Sequence, residues 1–297
     1  MTTITILKTI QEVRVWHKQN QLKSVGFVPT MGALHSGHLG LVKQSKQQSD
    51  LTIVSIFVNP SQFAPTEDLD KYPRDVDSDI KKLEGLADAV FLPSVEEMYP
   101  SGITLNVNSQ VGTFVEVLGK SHQLEGSIRP HFFRGVATIV SKLLNIVQPD
   151  FLYLGQKDAQ QCVVVKNLIK DLCFNTKAVL CPIAREENGL AMSSRNQYLS
   201  QETKEKEALA LYKALCSSEA LFKQGVVDRE SLLNEAKKII QEFKEVELEY
   251  VRLSDPITLD EVEQVTQNGA LLSGAIKVGP TGKTVRLIDN VMLGGSL

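Results

Sequence analysis

The chain has 297 residues, 42% hydrophobic and 23% charged, which excludes a disordered or collagen-like polymer and fits one large or two medium globular domains. A formal net charge of −3 and a pI near 6.0 argue against a nucleic-acid binder that works through a broad positive field. Mean hydropathy is −0.07, no apolar run nears the ~20 residues that span a bilayer, and Met1–Lys23 lacks a signal-peptide core, so a cytoplasmic protein without a membrane partner is expected.

In chain order, Val25–Thr30 reads as a buried strand, His38–Gln48 as an amphipathic helix and Leu51–Val58 as a stronger strand. A helical pattern over Val76–Leu86 leads to a short strand at Ala89–Leu92. Gly135–Val147 is helical, Phe151–Leu154 is a strand, Ala159–Leu172 is helical and Ala178–Cys181 is a further strand. This alternation predicts an α/β fold with a Rossmann-like parallel sheet flanked by helices. In such sheets ligands bind beyond the carboxyl ends of the strands. Past residue 200 the pattern changes. Gln201–Gln224 and Arg229–Lys244 are charged and helical in period, and Glu247–Leu253, Gly269–Val278 and Thr284–Ile288 read as a small antiparallel sheet with a turn at Gly279–Gly282. Two domains are expected: residues 1–182 as the Rossmann-like domain and 183–297 as a smaller C-terminal α+β domain, joined between Pro182 and Ser200.

Four strand-following segments carry chemistry. Pro29–His38 (PTMGALHSGH) ends a strand, passes through Gly32 and opens a helix near Gly37, with His35 and His38 three apart on its first turn. Glycine lets the backbone approach a ligand, and exposed N–H groups at a helix start favour an anion, so a nucleotide phosphate site is the reading. A zinc pair or a plain capped turn is the alternative, and two histidines without a third ligand make a weak metal site. Asn59-Pro60-Ser61-Gln62-Phe63 places neutral amides at a strand end, able to read hydroxyls or a carboxylate, although standing alone the segment reads as a polar loop cap. Gly155-Gln156-Lys157-Asp158 puts a lysine at a helix start, ahead of Gln160 and Gln161, and reads equally as a phosphate site or an ordinary turn. Gly189–Asn196 offers Ser193, Ser194 and Arg195 after a flexible Glu186–Gly189 turn, either to phosphate oxygens or as a capped loop. The acids Asp75, Asp77, Asp79 and Glu84 read as a solvated helix start rather than a metal site. His17 and His122 read as surface residues. Cys162, Cys173, Cys181 and Cys216 read as buried thiols outside any disulfide or metal site.

Taken as a set, these segments resemble the pantoate–β-alanine ligase (pantothenate synthetase) family of the HxGH nucleotidylyltransferase superfamily. The resemblance covers nearly the whole chain. It rests on FVPTMGALHSGH, VSIFVNPSQF, Tyr72-Pro73-Arg74, Leu124-Glu125-Gly126, FRGVATIVSKLLNIVQPD, GQKDAQQ, GLAMSSRNQYLS and VRLIDNVML in that order.

The resemblance implies an ATP-dependent ligase joining pantoate to β-alanine through a pantoyl adenylate, with magnesium carried by the ATP phosphates and no protein metal ligand assigned. It implies that Met31, Gly32, Ala33, Leu34, His35, Ser36, Gly37 and His38 line the ATP phosphates, with His38 as catalytic histidine and His35 in support. Gly155, Gln156, Lys157 and Asp158 would bind ATP, Lys157 through phosphate and Asp158 through ribose, and Ala184 would meet adenine through its backbone. Met192, Ser193, Ser194 and Arg195 would form a flexible phosphate-binding segment. Gln62 and Gln161 match the pantoate-binding pair, with Asn59 and Tyr72 around them. A homodimer with small-molecule substrates is implied, with residues 1–182 binding the nucleotide and 183–297 as a lid that keeps water from the adenylate, while charge and hydropathy argue against nucleic-acid and membrane partners. Rival readings are a nucleotidyltransferase acting on a phosphate-bearing acceptor, a tRNA synthetase and a non-catalytic nucleotide sensor. One departure stands out. The family pattern R-P-G-H-F-R-G reads Arg129-Pro130-His131-Phe132-Phe133-Arg134-Gly135 here, so His131 is strained if its position needs positive φ.

Overall fold

The computed structural model describes residues 4–297 except Thr66, Asp68, Lys71, Thr281 and Gly282. It divides into two compact units, Met1–Gly155 with Val164–Cys181, and Gln156–Val163 with Pro182–Leu297.

The first unit runs through β1 (Thr5–Leu7), α1 (Ile10–Gln19), β2 (Val25–Thr30), α2 (Ser36–Gln48), β3 (Leu51–Ile56), α3 (Val76–Leu83), β4 (Ala89–Phe91), α4 (Val95–Met98), α5 (Leu124–Ile128), α6 (Phe132–Val147), β5 (Phe151–Gly155) and β6 (Lys177–Cys181), with α7 (Ala159–Asp171) between the last two strands. The six strands form one sheet in the order β1-β4-β3-β2-β5-β6, every pair parallel. The strands are apolar because helices cover them: Val25, Phe27, Val28, Ile53, Val54 and Val90 are all at most 1% exposed. Val28, Val54, Val90 and Tyr153 share one core cluster with Leu34, Val42 and Leu83. The order reverses direction between β2 and β5, which pair directly through Gly26–Phe151 and Phe27–Leu152. The loops leaving Thr30 and Gly155 therefore start at the sheet's topological switch point, where open α/β sheets take ligands.

The second unit contains α8 (Gln201–Glu205), α9 (Ala210–Lys223), α10 (Arg229–Gln241), β7 (Val246–Ser254), β8 (Ala270–Val278) and β9 (Val285–Leu293). Its strands form an antiparallel sheet in sequence order. Leu211, Leu215, Leu232, Leu253, Leu272 and Ile276 fill its own core.

Several expected boundaries shift. The start of the chain holds β1 and α1, which the pattern of Met1–Lys23 did not announce. β1 is three residues long, and α1 is set by a capping box of Thr9 and Glu12 with Val13 and Trp16 buried. The expected helix Gln201–Gln224 breaks at Lys206 (φ −122°, ψ −84°). β9 runs past Ile288 to Leu293, and the polar Asp289 and Asn290 hid that extension. Of the expected Gly279–Gly282 turn, Thr281 and Gly282 lie outside the described residues.

Candidate active site

In the first unit, β2 ends at Thr30, whose hydroxyl donates to the Ser55 carbonyl at 2.7 Å and accepts the Gly32 N–H at 3.2 Å. Gly32 (φ +84°) and Ala33 (φ +51°) are consecutive left-handed residues that turn the chain sharply. The turn is fastened from α3. Asp79, 1% exposed, accepts the Leu34 N–H at 2.7 Å, and Lys82 donates to the Leu34 carbonyl at 2.8 Å. Asp79 is thus part of the loop's support, which corrects its reading as a solvated helix-start acid. Asp75 does cap α3, accepting the Ser78 N–H at 3.1 Å.

His35 is the N-cap of α2 and His38 its third residue, and together they form a capping box. Nδ1 of His35 accepts the Gly37 N–H at 3.2 Å, and Nδ1 of His38 accepts the His35 N–H at 3.4 Å. The rings lie 4.1 Å apart at 39°. A ring nitrogen that accepts carries no proton, so each neutral imidazole bears its hydrogen on Nε2. The loop therefore offers two imidazole N–H donors at the positive end of a 13-residue helix. Ser36 is exposed and Gly37 half-buried on the same turn.

Beyond β3, Pro60–Gln62 forms one 3-10 turn. Asn59 is 1% exposed, and its amide is committed inside the protein. Its Oδ1 accepts from the Tyr99 hydroxyl at 2.6 Å and from Ser61 at 3.1 Å, and its Nδ2 donates to Gln62 Oε1 at 2.8 Å and to the Gly135 carbonyl at 3.3 Å. Asn59 accordingly holds Gln62. Gln62 Nε2 lies 3.3 Å from the Met31 sulfur, so the amide cluster touches the histidine loop. Tyr72 meets Phe63 edge-on at 5.9 Å. The cluster needs glycine on α6, because a Cβ at Gly135 would lie 2.2 Å from the Ser61 carbonyl oxygen. Tyr99 is 4% exposed, and burial pushes its hydroxyl up to about 12, so it stays a donor.

In the second unit, Gln156–Asp158 is a 3-10 turn running into α7, with Lys157 half-buried and Asp158 exposed. The turn is pinned by Asn290 of β9, whose Nδ2 donates to the Gln156 and Lys157 carbonyls at 3.0 Å each. Lys157 Nζ is 3.8 Å from Asp158 Oδ1. Gln161 is half-buried on the first turn of α7, in the unit that does not hold Gln62.

Arg185 and Ala191 pair across a small hairpin closed by Gly189, and the Ala184 carbonyl accepts the Met192 N–H at 2.9 Å. The hairpin is anchored by two hydrogen bonds from Arg185 to Asp289 at 2.6 and 3.0 Å. Burial opposes the Arg185 charge, and the Asp289 carboxylate more than offsets it, so the guanidinium is held above its ordinary range. Ser193 caps the turn that carries Ser194 and Arg195, accepting the Arg195 N–H at 3.2 Å.

Tyr99, Asn290 and the Arg185–Asp289 pair were missed as supporting residues. Asp289 and Asn290 stood inside the VRLIDNVML signal, where two polar residues in an apolar strand are the mark of a buried polar contact. The other chemistry-bearing residues add little. Among the described residues no group of three or more His, Cys, Asp or Glu could hold a metal. No described helix is long and apolar enough to cross a membrane. His122 is exposed as expected, whereas His17 is half-buried. The cysteines form no disulfide, but only Cys162 is fully buried. Cys173 (φ +56°) turns outward after α7, and Cys216 lies on the outer face of α9.

Known proteins resemble this chain along almost its whole length. A family profile described as pantoate–β-alanine ligase matches residues 5–292. The pantoate–β-alanine ligase of Saccharomyces cerevisiae is 44% identical, covering 97% of this chain and 99% of its own. The pantothenate synthetase of Acidobacterium capsulatum is 50% identical, covering 92% of this chain and 87% of its own. The crystal structure of the Thermus thermophilus pantothenate synthetase superposes with a TM-score of 0.88 at 37% identity, over 98% of this chain and 99% of that one. The Francisella tularensis pantoate–β-alanine ligase, solved in complex with β-γ ATP and β-alanine, gives a TM-score of 0.76 at 36% identity over 98% of each chain. The chain belongs to the pantoate–β-alanine ligase family.

Proposed function

We propose that this chain condenses (R)-pantoate with β-alanine at the expense of ATP, giving pantothenate, AMP and pyrophosphate. The observation that carries the reading is the His35–His38 capping box, two imidazoles fixed as Nε2–H donors beside the Asn59–Gln62 amides. A carboxylate oxygen of pantoate attacks the α-phosphorus of ATP, and the bond to pyrophosphate breaks. The β-alanine amine then attacks the acyl carbon, loses a proton, and AMP leaves. Neither step needs a nucleophile from the protein.

Negative charge builds on the departing pyrophosphate, and fixed donors meet it without reorganising. His38, His35, Lys157, Ser193, Ser194 and Arg195 are assigned that work, with the Met31–Leu34 and Gly155–Asp158 backbones shaping the nucleotide site and Ala184 meeting adenine. Gln62 and Gln161 are assigned to pantoate, and Tyr72 to the wall of that pocket. Magnesium is assigned to the ATP phosphates as part of the substrate, as the family resemblance implies. A lid role for the second unit, a homodimer and a cytoplasmic location complete the proposal: the lid because the adenylate must be kept from water, the homodimer from the family resemblance, and the location as the default expectation from the sequence.

The test is pyrophosphate release from Mg-ATP with D-pantoate, with and without β-alanine. The expected result is a burst limited to the enzyme concentration with pantoate alone and steady turnover once β-alanine is added. Absence of pantoate-dependent release overturns the reading.

A further inference from the structure

We infer that Tyr99 is a positioning residue whose hydroxyl, acting through Asn59, dictates that Gln62 turns its NH2 end, not its oxygen, toward the acid substrate. The inference rests on the assignment of Gln62 to pantoate and adds which atoms of Gln62 do the binding and what holds them there.

A side-chain amide has a donor end and an acceptor end of nearly equal shape, so its neighbours decide which way it points. Around Asn59 they all agree. On one side stand two hydroxyls, Tyr99 at 2.6 Å and Ser61 at 3.1 Å, themselves 2.8 Å apart. On the other side stands the Gly135 carbonyl, 3.3 Å away, which can only accept. Rotating the amide by half a turn would press the Asn59 oxygen against that carbonyl and leave the Tyr99 proton facing an NH2. The Asn59 NH2 is thereby committed toward Gln62 Oε1 at 2.8 Å. With its oxygen occupied, Gln62 has its NH2 at the far end, where it meets the Met31 thioether at 3.3 Å. A thioether accepts weakly, and an NH2 carries two hydrogens.

Tyr99 cannot drift out of this chain. Its ring lies under the Lys142 ammonium, 4.0 Å from the centroid, and Lys142 is tied to the Met98 carbonyl at 2.6 Å. Phe57 stacks at 6.4 Å on the same ring. The polarity therefore runs one way, from the Tyr99 O–H to the Asn59 oxygen, then from the Asn59 NH2 to the Gln62 oxygen. What emerges is a donor. It suits an oxygen of a carboxylate or hydroxyl and disfavours a substrate that presents N–H there, such as the amide of the same acid.

A double-mutant cycle on the full chain separates this from simple packing. Pantoate and ATP dissociation constants are measured by calorimetry for the wild type, Tyr99→Phe, Gln62→Ala and the double variant. Tyr99→Phe is expected to weaken pantoate binding roughly tenfold, with ATP binding held within about twofold. In the Gln62→Ala background the same change is expected to alter pantoate binding by less than about twofold, because its effect passes through Gln62. Single-turnover pyrophosphate release at saturating pantoate should stay within about threefold, since binding and not the reacting atoms has changed. An equal loss in both backgrounds, or none in the wild type, overturns the inference and leaves the Gln62 assignment standing. If Gln62→Ala itself leaves pantoate binding unchanged, that assignment falls and takes the inference with it. Should Tyr99→Phe fail to fold, Ser61→Ala removes the other donor on Asn59 and must show the same dependence on Gln62.

Discussion

Asn290 grips the main chain of Lys157, donating from one side-chain nitrogen to the carbonyls of residues 156 and 157 at 3.0 Å each. Asn290 is 2% exposed and touches the candidate phosphate lysine through its backbone alone. Asn290→Ala should leave both carbonyls short of a donor and loosen the turn. A loss of about 1–2 kcal/mol, roughly 5–30-fold, is expected in the KM for ATP. Steady-state kinetics with each substrate varied in turn will show it, and an ATP KM equal to wild type would remove Asn290 from the support of the site.

The two histidines share one device, an Nδ1 spent on the backbone. His38→Ala removes an Nε2–H donor, and Lys157→Ala removes a cation. Each is expected to slow adenylation by roughly 10²–10³, or ~3–4 kcal/mol of barrier. Rapid-quench measurement of a single turnover is the check. Rates near wild type in either variant would contradict the role given to that residue.

Asp79 holds the loop from beneath, and its second oxygen is buried without a hydrogen-bond partner among the described residues. Asp79→Ala strips the Leu34 N–H of its acceptor and should cost about 1–3 kcal/mol of stability. Asp79→Asn keeps an oxygen for that N–H. It gives up the negative charge, whose 3.6 Å pairing is with a Lys82 that is itself 40% exposed, while the bond to the Leu34 N–H stays. Urea melts should therefore rank wild type close to Asn and well above Ala. Equal destabilisation by both variants would show that charge, not the hydrogen bond, is what matters.

His131 caps α6 at φ +69°, in the left-handed region that the sequence departure raised as a question. A side chain there costs roughly 1–2 kcal/mol that glycine avoids, and His131 is exposed and makes no side-chain cap. His131→Gly is expected to recover part of this, about 1 kcal/mol, and to raise Tm by roughly 2–4 °C with activity unchanged. A lowered Tm in scanning calorimetry would mean that the His131 side chain is itself stabilising.

Most of the parallel sheet could be read in advance because its strands are buried on both faces, which leaves uninterrupted runs such as Val25–Thr30. The motif loops were legible for a related reason. Glycine, histidine and lysine cluster directly after such runs, at the strand ends where open α/β sheets take ligands. What stayed hidden acts at long range. Asp79 looks like any first-turn acid until the Leu34 N–H, 45 residues away, is found against it. Tyr99 looks like an ordinary aromatic until the oxygen of Asn59 is found at 2.6 Å. β1 and α8 were too short to leave a period, and Asp289 interrupts the apolar pattern of β9 because its charge is neutralised by Arg185.

Gln156–Val163 comes mid-chain yet packs with residues beyond Pro182, so no single cut of the polypeptide separates the two units. The bond from Asn290 to the Lys157 carbonyl spans 133 residues of sequence. During synthesis the strands before residue 155 can pair as they emerge, while the turn carrying Lys157 must wait for β9 to be made. A chain ended at Cys181 would lack Asn290 and so leave that turn unclasped. The clasp on the Lys157 turn is thus among the last contacts of the fold that the growing chain can make.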